Sequence, residues 1–268
     1  MYKKFKFSFW ILLLVLIMDT SIAFAKKPQY TEIDVANGGS ISGTVVFRGT
    51  VPPPVPVDLK NNKNPEFCLE NASPNKEGEL LIHHVEAEGG KLKDAVIFIE
   101  NIKQGKPWAT GTLDIHFKNC QAFPKVAVIR KIPKIATTNF VTIENHDAGV
   151  LHNPMGFSIG ENTRKIFFKK WLLNKGAKVD VSKSLKFLKK ERDAHFYIEC
   201  EQHLWMSVSS KVVWNPYHDI SKNDGSFKID QIPPGHYKVV VWHPYVGEKT
   251  IEVDISSGTN TPLELTFP

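Results

Sequence analysis

One cysteine, two histidines and one methionine in this chain have the types and spacing of a copper site. Cys200, His203 and Met206 lie within a single short loop, and His152 lies well upstream. Thiolate and thioether sulfur favour Cu(I), whereas imidazole also accepts Cu(II), so a site that combines them serves both oxidation states. Two imidazoles and a thiolate with a long axial thioether are the donor set of a blue copper centre. The sequence therefore predicts a one-electron metal centre held by these four residues.

The four predicted ligands come from two chain segments. The alternating run His195–Glu199 predicts a strand that ends at Cys200. A tight loop then returns His203 and Met206 to the same ion as the next strand begins. His152 must come from a neighbouring strand end. Each of these residues alone is ordinary in a core or on a surface, and only their combination predicts the metal.

Two neighbours of the ligands have expected roles. Asn153 is expected to hydrogen-bond toward the Cys200 sulfur and to tune the redox potential from outside the ligand set. Asn153 is also a candidate to tie the two ligand loops together, and both roles can hold at once. Trp205 is a candidate for the surface patch where electrons leave, and ordinary packing is its alternative.

The other histidines are not expected to bind this metal. The adjacent His83 and His84 would point to opposite faces of a strand. Six more lack matching ligand spacing and are expected to be structural or on the surface: His116, His146, His195, His218, His236 and His243. No His-x-His pair indicates a multicopper cluster, and no Gly-x-Ser-x-Gly motif indicates a hydrolase. A single, coordinatively filled metal favours electron transfer, so we do not expect an enzyme.

The amino terminus predicts a secretory leader. Three lysines precede an apolar run over 9–18, and Ala23-Phe24-Ala25 fits the small-x-small cleavage rule. We expect residues 1–25 to be removed and the mature chain to be periplasmic or secreted; an uncleaved anchor is the alternative. In an oxidising compartment, the two cysteines that are not ligands, Cys68 and Cys120, are expected to form a disulfide. Two buried thiols are the alternative.

Charge bears on partners. The formal net charge is +6, and it falls to +4 without the leader, which carries three lysines and one aspartate. That is too weakly basic to predict a nucleic-acid partner. The segment Arg164–Arg192 has eleven basic residues against two acidic ones, interleaved with apolar residues. One interpretation is a docking face that binds an acidic partner or a membrane surface. The alternative is an insertion whose lysines stay hydrated while its aromatic residues pack on the sandwich.

The remaining pattern is all-β. Short alternating runs separated by Gly, Pro and Asn are typical of antiparallel β-sandwiches. The proline-rich Val51–Val57 predicts a link or an edge strand. The stretch Ser182–Arg192 predicts a short helix capped by Ser182 or Ser184. The main predicted strands are Ser40–Arg48, Leu92–Ile99, Leu113–Lys118, Lys125–Arg130, Phe140–Glu144, Met206–Trp214, Ser226–Asp230, His236–Trp242, Ile251–Ile255 and Leu263–Phe267.

At the ligand loop the chain resembles the cupredoxins, the plastocyanin and amicyanin group. Its Cys-x-x-His-x-x-Met motif with an upstream His-Asn is similar to the amicyanin version. The resemblance implies a type 1 copper centre with His152, Cys200, His203 and Met206 as ligands, in a Greek-key β-sandwich.

The wider pattern resembles bacterial secreted proteins that join a plastocyanin-like domain to a carboxypeptidase-regulatory-like β module. The matching motifs are Ile41-Ser42-Gly43-Thr44-Val45, Cys120-Gln-Ala-Phe-Pro, Asp224-Gly-Ser-Phe and Pro233-Pro-Gly-x-Tyr. The resemblance implies a cupredoxin domain over 106–213 and a second, smaller β-sandwich module over 214–268. The segment 38–105 is then a candidate to complete that module, which would leave the cupredoxin domain as an insertion.

These inferences converge on a secreted type 1 copper protein that passes single electrons between redox partners. The partners are expected to dock near the copper loop or on the basic segment. Two alternatives stay open: a copper carrier or storage protein that holds Cu(I) without cycling, and a non-redox scaffold whose β module binds a partner.

Overall fold

The computed structural model describes residues 30–131, 140–160, 163–189 and 192–268. The predicted leader, 1–25, lies outside the described residues. Within them nearly all regular structure is strand, which confirms the all-β prediction. Neither helix in this part of the chain has the length and hydropathy needed to cross a bilayer.

The strands of the first half are β1 Thr31–Glu32, β2 Gly39–Phe47, β3 Val55–Asp58, β4 Glu79–Ile82, β5 Ala87–Glu88, β6 Lys91–Leu92, β7 Val96–Ile99, β8 Gln104–Gly105, β9 Leu113–Lys118, β10 Gln121–Phe123 and β11 Val126–Arg130. Those of the second half are β12 Val141–Asn145, β13 Pro154–Ile159, β14 Arg164–Lys169, β15 Lys178–Asp180, β16 His195–Cys200, β17 Ser207–Val213, β18 His218–Ile220, β19 Ser226–Ile232, β20 Gly235–His243, β21 Gly247–Ile255 and β22 Asn260–Phe267. The helices are α1 Pro65–Asn71 and α2 Ser182–Leu185.

A first sandwich, here called the ligand sandwich, contains all four predicted ligands or their flanking strands. It consists of a four-stranded sheet in the order β10-β9-β12-β15 and a five-stranded sheet in the order β11-β17-β16-β13-β14. The facing side chains form one core, to which Ile115 and Ile143 belong. In β16 the alternation is regular: Phe196, Ile198 and Cys200 are buried in that core, and the residues between them are half-exposed. Period-two alternation therefore points Cys200 inward.

A second sandwich, the module sandwich, is built from both ends of the described chain. Its sheets have the orders β18-β7-β20-β21 and β19-β2-β6-β5, and β22 also pairs with β2. Strand β2 is antiparallel to β19 and parallel to β22. Residues such as Ile41, Ile97 and Leu265 share its core. Strands from the segments 38–105 and 214–268 thus meet in one sandwich, and the ligand sandwich lies between these segments in sequence.

The two sandwiches pack against each other through an apolar interface. In β7, Ile97 and Ile99 face the module core, whereas Val96 and Phe98 pack in a separate cluster with Val213 of β17. Strand β20 alternates between the same two clusters. A strand covered on both faces has no polar side, which explains its continuous apolar sequence.

A third, small unit covers one end of the ligand sandwich. It is called the cap here and spans residues 55–82, with the hairpin β3–β4 and helix α1. Its apolar residues Leu59 and Leu80 pack with Cys68, Cys120 and Trp205. Cys68 and Cys120 are joined in a disulfide with an S–S distance of 2.05 Å. The proline-rich run predicted as a link or an edge contributes the short strand β3, which pairs with β4.

Strand direction and continuity differ from the prediction in two respects. The pairs β9·β12, β11·β17 and β2·β22 are parallel, although the pattern predicted antiparallel sheets. Their partners are far apart in sequence, and the long connections supply the crossover that parallel pairing requires. The predicted strand Leu92–Ile99 is divided into β6 and β7, because Asp94 has a φ of 60°, outside the β region.

The predicted helix over 182–192 is also shorter and differently capped. Helix α2 ends at Leu185, and residues 190 and 191 lie outside the described part of the chain. Neither predicted serine is the cap, because Val181 holds that position without a side-chain bond. The buried Ser182 hydroxyl instead accepts the backbone N–H groups of Phe140 and Val141. Its side chain joins two segments of the sandwich.

The basic segment 164–192 is part of the ligand sandwich. Strand β14 forms one edge of the five-stranded sheet. Phe168 and Leu172 are buried, whereas Trp171 and Leu173 are 64% and 61% exposed. The segment therefore contributes both to the core and to an apolar surface among lysines.

Candidate metal centre

Three of the four predicted ligands converge on one point. The Nδ1 atom of His152 lies 3.5 Å from the Sγ atom of Cys200, and the Nδ1 atom of His203 lies 3.7 Å from it. One donor atom from each residue lies within 4.8 Å of the other two. All three side chains are fully buried. The arrangement is a candidate metal site of two imidazoles and one thiol.

Strand pairing places His152 beside Cys200. Cys200 ends β16 and pairs with Pro154, the first residue of the antiparallel strand β13. His152 lies just before β13 and exchanges two backbone hydrogen bonds with Leu172, of 3.1 and 2.8 Å. The His152 backbone is therefore held on one side by Leu172, which lies three residues after the end of β14. On its other side the chain continues within two residues into β13, the strand that pairs with Cys200.

Backbone hydrogen bonds close the ligand loop. The N–H of His203 donates to the Cys200 carbonyl at 3.2 Å, and the N–H of Met206 donates to the His203 carbonyl at 2.8 Å. The N–H of Cys200 donates in turn to the Met206 carbonyl at 3.0 Å. Met206 is fully buried in the core of the ligand sandwich. Its assignment as the axial ligand stays a prediction.

Asp147 orients His152, a role that sequence reasoning missed. Its Oδ2 atom lies 3.1 Å from the Nε2 atom of His152, and its oxygens accept the N–H groups of Asn119 at 2.5 Å and Cys120 at 3.0 Å. A carboxylate on one ring nitrogen places the proton there and leaves the other nitrogen free for a metal. Burial would raise the pKa of Asp147, but the bonds from His152 and the two amides hold it below its ordinary value.

The same contacts act on His152 and on the thiol. Burial would lower the pKa of His152, but the Asp147 carboxylate and the Cys200 sulfur outweigh burial and raise it. For Cys200, burial favours the thiol, but hydrogen bonds from His152, His203 and the Asn153 N–H prevail and lower the pKa to about 6. The site therefore favours the thiolate, the form that binds metal.

Asn153 contacts the sulfur through its backbone. Its N–H donates to the Cys200 Sγ atom at 3.4 Å, and its carbonyl accepts the N–H of Glu201 at 3.0 Å. The expected hydrogen bond to sulfur and the expected tie between the two loops are both present in the main chain. The side-chain Oδ1 atom is buried and has no hydrogen-bond partner among the described residues.

His203 lies between the Cys200 sulfur and the cap. One of its ring nitrogens lies within 4.8 Å of the sulfurs of both Cys68 and Cys120. Its Nε2 atom is buried without a hydrogen-bond partner in the described part of the chain. The disulfide-linked cap therefore shields the second predicted imidazole ligand from solvent.

Trp205 is half-buried and packs on the site. Its Nε1–H donates to the Cys120 carbonyl at 2.8 Å, and its ring lies edge-on to the His203 ring at 5.2 Å between centroids. These contacts match the packing alternative for Trp205. The exposed apolar residue of the ligand loop is Leu204, with 74% of its surface accessible.

The residues present fit copper. Two imidazole nitrogens that face one sulfur, a thiol with a lowered pKa and a buried methionine in the same loop are a soft and borderline donor set. Zinc accepts thiolate and imidazole but binds thioether poorly, so the methionine favours copper.

Two histidines that were expected to be structural or on the surface come together elsewhere. The Nδ1 atom of His116 lies 2.9 Å from the Nε2 atom of His146, and Glu144 completes a second group of possible ligands. Spacing did not reveal this pair, because His116 and His146 are thirty residues apart and meet only through the pairing of β9 with β12. His84 stacks on Tyr245, with ring centroids 4.1 Å apart.

Comparisons with known proteins add one distant likeness. No protein-family model matches the chain, and no curated protein matches it. Among solved structures, the chain is similar to a Cu-containing nitrite reductase (NirK) from Thermus scotoductus SA-01, with 17% sequence identity and a TM-score of 0.27. The match covers 40% of this chain and 24% of the reductase. A likeness of this size supports no conclusion about function, so the candidate metal centre stands on its own geometry.

Proposed function

We propose that this chain is a secreted type 1 copper protein that carries single electrons between redox partners and is not an enzyme. The observation that carries the proposal is the buried Cys200 sulfur, which faces one ring nitrogen each of His152 and His203. Met206 is the proposed axial ligand. Copper held there would supply one-electron exchange between Cu(I) and Cu(II).

The fixed positions of the donors support electron transfer. Asp147 holds the His152 ring, and the Asn153 N–H holds the Cys200 sulfur. The ligand loop is closed by its own backbone hydrogen bonds. Donors that are positioned before the metal arrives need little movement when the oxidation state changes, and small movement allows rapid electron transfer.

Burial of the donors supports a shuttle over a carrier. A protein that hands on Cu(I) needs its ligands accessible to a competing donor. Here His152, Cys200 and His203 are fully buried, and the disulfide-linked cap lies over His203. The metal-transfer function is therefore the less favoured alternative.

The proposed exit for electrons is the apolar surface around the ligand loop. Leu204 follows His203 and is the most exposed apolar residue among those described in this loop. Trp171 and Leu173 flank Leu172, whose backbone pairs with His152. Basic residues of the segment 164–192 surround these side chains in sequence, so an acidic redox partner is the proposed counterpart.

A redox titration of the copper-loaded protein tests the proposal. Reversible cycling between Cu(II) and Cu(I), with rapid exchange to a small redox mediator, is expected. Met206→Leu should shift the potential, because the axial ligand tunes it. Met155→Leu is the matched control, since Met155 is a buried methionine on β13 that is not a predicted ligand.

Two results would replace the proposal by an alternative. Tight Cu(I) binding with no accessible Cu(II) state would indicate the carrier. A binding partner captured equally well by the metal-free and the copper-loaded protein, with no redox cycling, would indicate the scaffold.

A further inference from the structure

A second group of metal-ligating side chains lies on the outer face of the four-stranded sheet. His116 is on β9, Glu144 is on β12, and His146 follows β12. We propose that His116, Glu144 and His146 form a second metal site, open to solvent, for a divalent zinc or copper ion. The observation is separate from the Cys200 centre, and the inference does not depend on the function proposed for that centre.

The parallel pairing of β9 with β12 creates the group. Glu144 is paired with His116 in register, and the N–H of His146 donates to the Phe117 carbonyl at 2.8 Å. Along β9, Ile115 and Phe117 are buried in the core, so the intervening His116 points to the opposite face. Pairing and alternation together bring the three side chains to one spot on the surface.

The separations suit a shared ion. The Nδ1 atom of His116 lies 2.9 Å from the Nε2 atom of His146, which lies 3.8 Å from an oxygen of Glu144. Imidazole binds zinc at about 2.0–2.1 Å, so two such bonds meeting at about 90–110° place their nitrogens roughly 2.9–3.4 Å apart. The observed separation lies at the short end of this range. A tetrahedral ion needs about 3.3–3.4 Å between the two nitrogens, so the rings have to move apart by roughly 0.4–0.5 Å for an ion to replace the hydrogen bond between them.

The donor set indicates the class of metal. Two imidazoles and one carboxylate form a zinc site with three protein ligands and a fourth position open to water. The same donors also suit Cu(II). His116 and His146 border an open hollow that is also lined by Lys118, Asn119 and Phe123. That hollow gives an ion access from solvent and room for the fourth ligand.

Nearby charges leave one carboxylate oxygen available. Lys178 lies 3.5 Å from the Oε2 atom of Glu144 and also 3.5 Å from Asp114. The Oε1 atom of Glu144 is the one that faces His146. Lys178 is 46% exposed, and exposed ion pairs of this kind contribute little, so the lysine does not prevent the oxygen from binding an ion.

The site lies directly behind a ligand of the first centre. His146 precedes Asp147, whose carboxylate contacts His152. His116 precedes Phe117, whose ring lies edge-on to the His152 ring at 5.3 Å. The two centres are thus on opposite faces of the same strand pair.

Calorimetric titration of the mature chain with Zn²⁺ tests the site. The quantity compared is the number of Zn²⁺ equivalents bound by the wild type minus the number bound by each variant. Any Zn²⁺ at the Cys200 centre is the same in both proteins, so it does not affect this difference. We expect His116→Gln and His146→Gln each to lose one equivalent, and Glu144→Gln to bind it at least about tenfold more weakly. All three side chains are half-buried, so circular dichroism and the thermal midpoint should stay unchanged.

His236→Gln is the matched control. His236 is an exposed histidine beside two carboxylates, but Asp254 contacts its Nδ1 atom and Glu252 its Nε2 atom, so the three cannot share one ion. This variant should keep the wild-type stoichiometry. Equal stoichiometry in the wild type, His116→Gln and His146→Gln would overturn the proposal, as would an equal loss in His236→Gln.

Cu²⁺ distinguishes the two metals. If the site accepts copper, the wild type should show a second electron paramagnetic resonance signal with the wide hyperfine splitting of an ordinary Cu(II) site, and His116→Gln should lack it. Loss of a zinc equivalent in the variants without any second copper signal would support the site as selective for zinc.

Discussion

Replacing Asp147 by asparagine tests how the chain positions its metal ligands. One oxygen of Asp147 accepts the N–H of Asn119 at 2.5 Å, and the other accepts the N–H of Cys120 at 3.0 Å and faces Nε2 of His152 at 3.1 Å. Asparagine has nearly the same volume but only one acceptor oxygen, and its amide group donates. The variant therefore cannot satisfy all three donors.

The size of the effect follows from these contacts. The favoured orientation of the substituted side chain keeps its oxygen toward Cys120 and His152, so its amide group faces the N–H of Asn119. Asn119 is partly buried, so its N–H left without an acceptor should lower the free energy of unfolding by about 1 kcal/mol, the lower end of the range for an unsatisfied buried donor. A carboxylate that orients a ligand histidine typically contributes about 10–100-fold to metal affinity, equivalent to about 1.4–2.8 kcal/mol. Asp147→Asn should therefore weaken both folding and copper binding.

Asp193→Asn separates the two effects. Asp193 is also fully buried, and its carboxylate accepts hydrogen bonds from Ser158 and Arg192. It contacts none of the predicted ligands. Both variants should lose stability in urea denaturation, whereas only Asp147→Asn should lose copper affinity in competition with a chelator. Wild-type copper affinity in a folded Asp147→Asn protein, or an equal loss in Asp193→Asn, would refute the reasoning.

Three further outcomes are expected. The neighbouring His195 and the buried Lys211, whose ammonium group donates to the Glu248 carboxylate, lower the pKa of Glu248 to about 2 although burial opposes this. The pKa of Glu248 in the unfolded chain is about 4.3, so its carboxylate stabilises the fold above that pH and loses this contribution as the pH falls toward 2. Glu248→Gln should therefore reduce the fall in unfolding free energy that urea denaturation measures between these pH values. An unchanged fall in the variant would contradict this. Replacing both Cys68 and Cys120 by serine should lower the unfolding free energy by about 4 kcal/mol, because the bridge closes a loop of 52 residues; a wild-type guanidinium midpoint would contradict it. Leu204→Glu should slow electron exchange with an acidic redox protein by at least about tenfold in stopped-flow measurements while leaving the visible spectrum unchanged; equal rates would place the electron exit elsewhere.

The convergence of the ligands was predictable where it is local. Cys200 and His203 belong to one short turn, and alternation along β16 points the cysteine into the core. His152 was identifiable because an imidazole was needed from a neighbouring strand end. The sulfur contact of Asn153 was expected, but its donor is the backbone N–H, which a sequence does not distinguish from the side chain.

The parts of the site that depend on distant pairing were not predictable from spacing. Asp147 lies five residues before His152, but the amides that hold it belong to the turn between β9 and β10. The pairing of His116 with His146 requires the parallel register of β9 and β12. The cover over His203 requires the cap to fold back onto the ligand sandwich, and no local periodicity encodes that contact.

The fold, like the site, was predictable from the sequence where it is local and not where it depends on distant pairing. Most of the strands that alternation and turn residues predicted match an observed strand within a residue or two, such as Leu113–Lys118 for β9, but strands such as β13 and β14 were not predicted. Strand direction was not predictable, because period-two alternation is the same in parallel and antiparallel sheets. The run Leu92–Ile99 was predicted as a strand, but only the structure shows that β7 packs on both faces, one of them against the ligand sandwich.

The absorption and electron paramagnetic resonance spectra of the copper-loaded protein test the central claim most directly, namely that His152, Cys200 and His203 hold one copper ion. We expect an intense visible band from thiolate-to-copper charge transfer and a narrow copper hyperfine splitting, both lost in Cys200→Ser with the fold retained. A colourless wild-type protein, or the same blue colour in Cys200→Ser, would contradict the assignment.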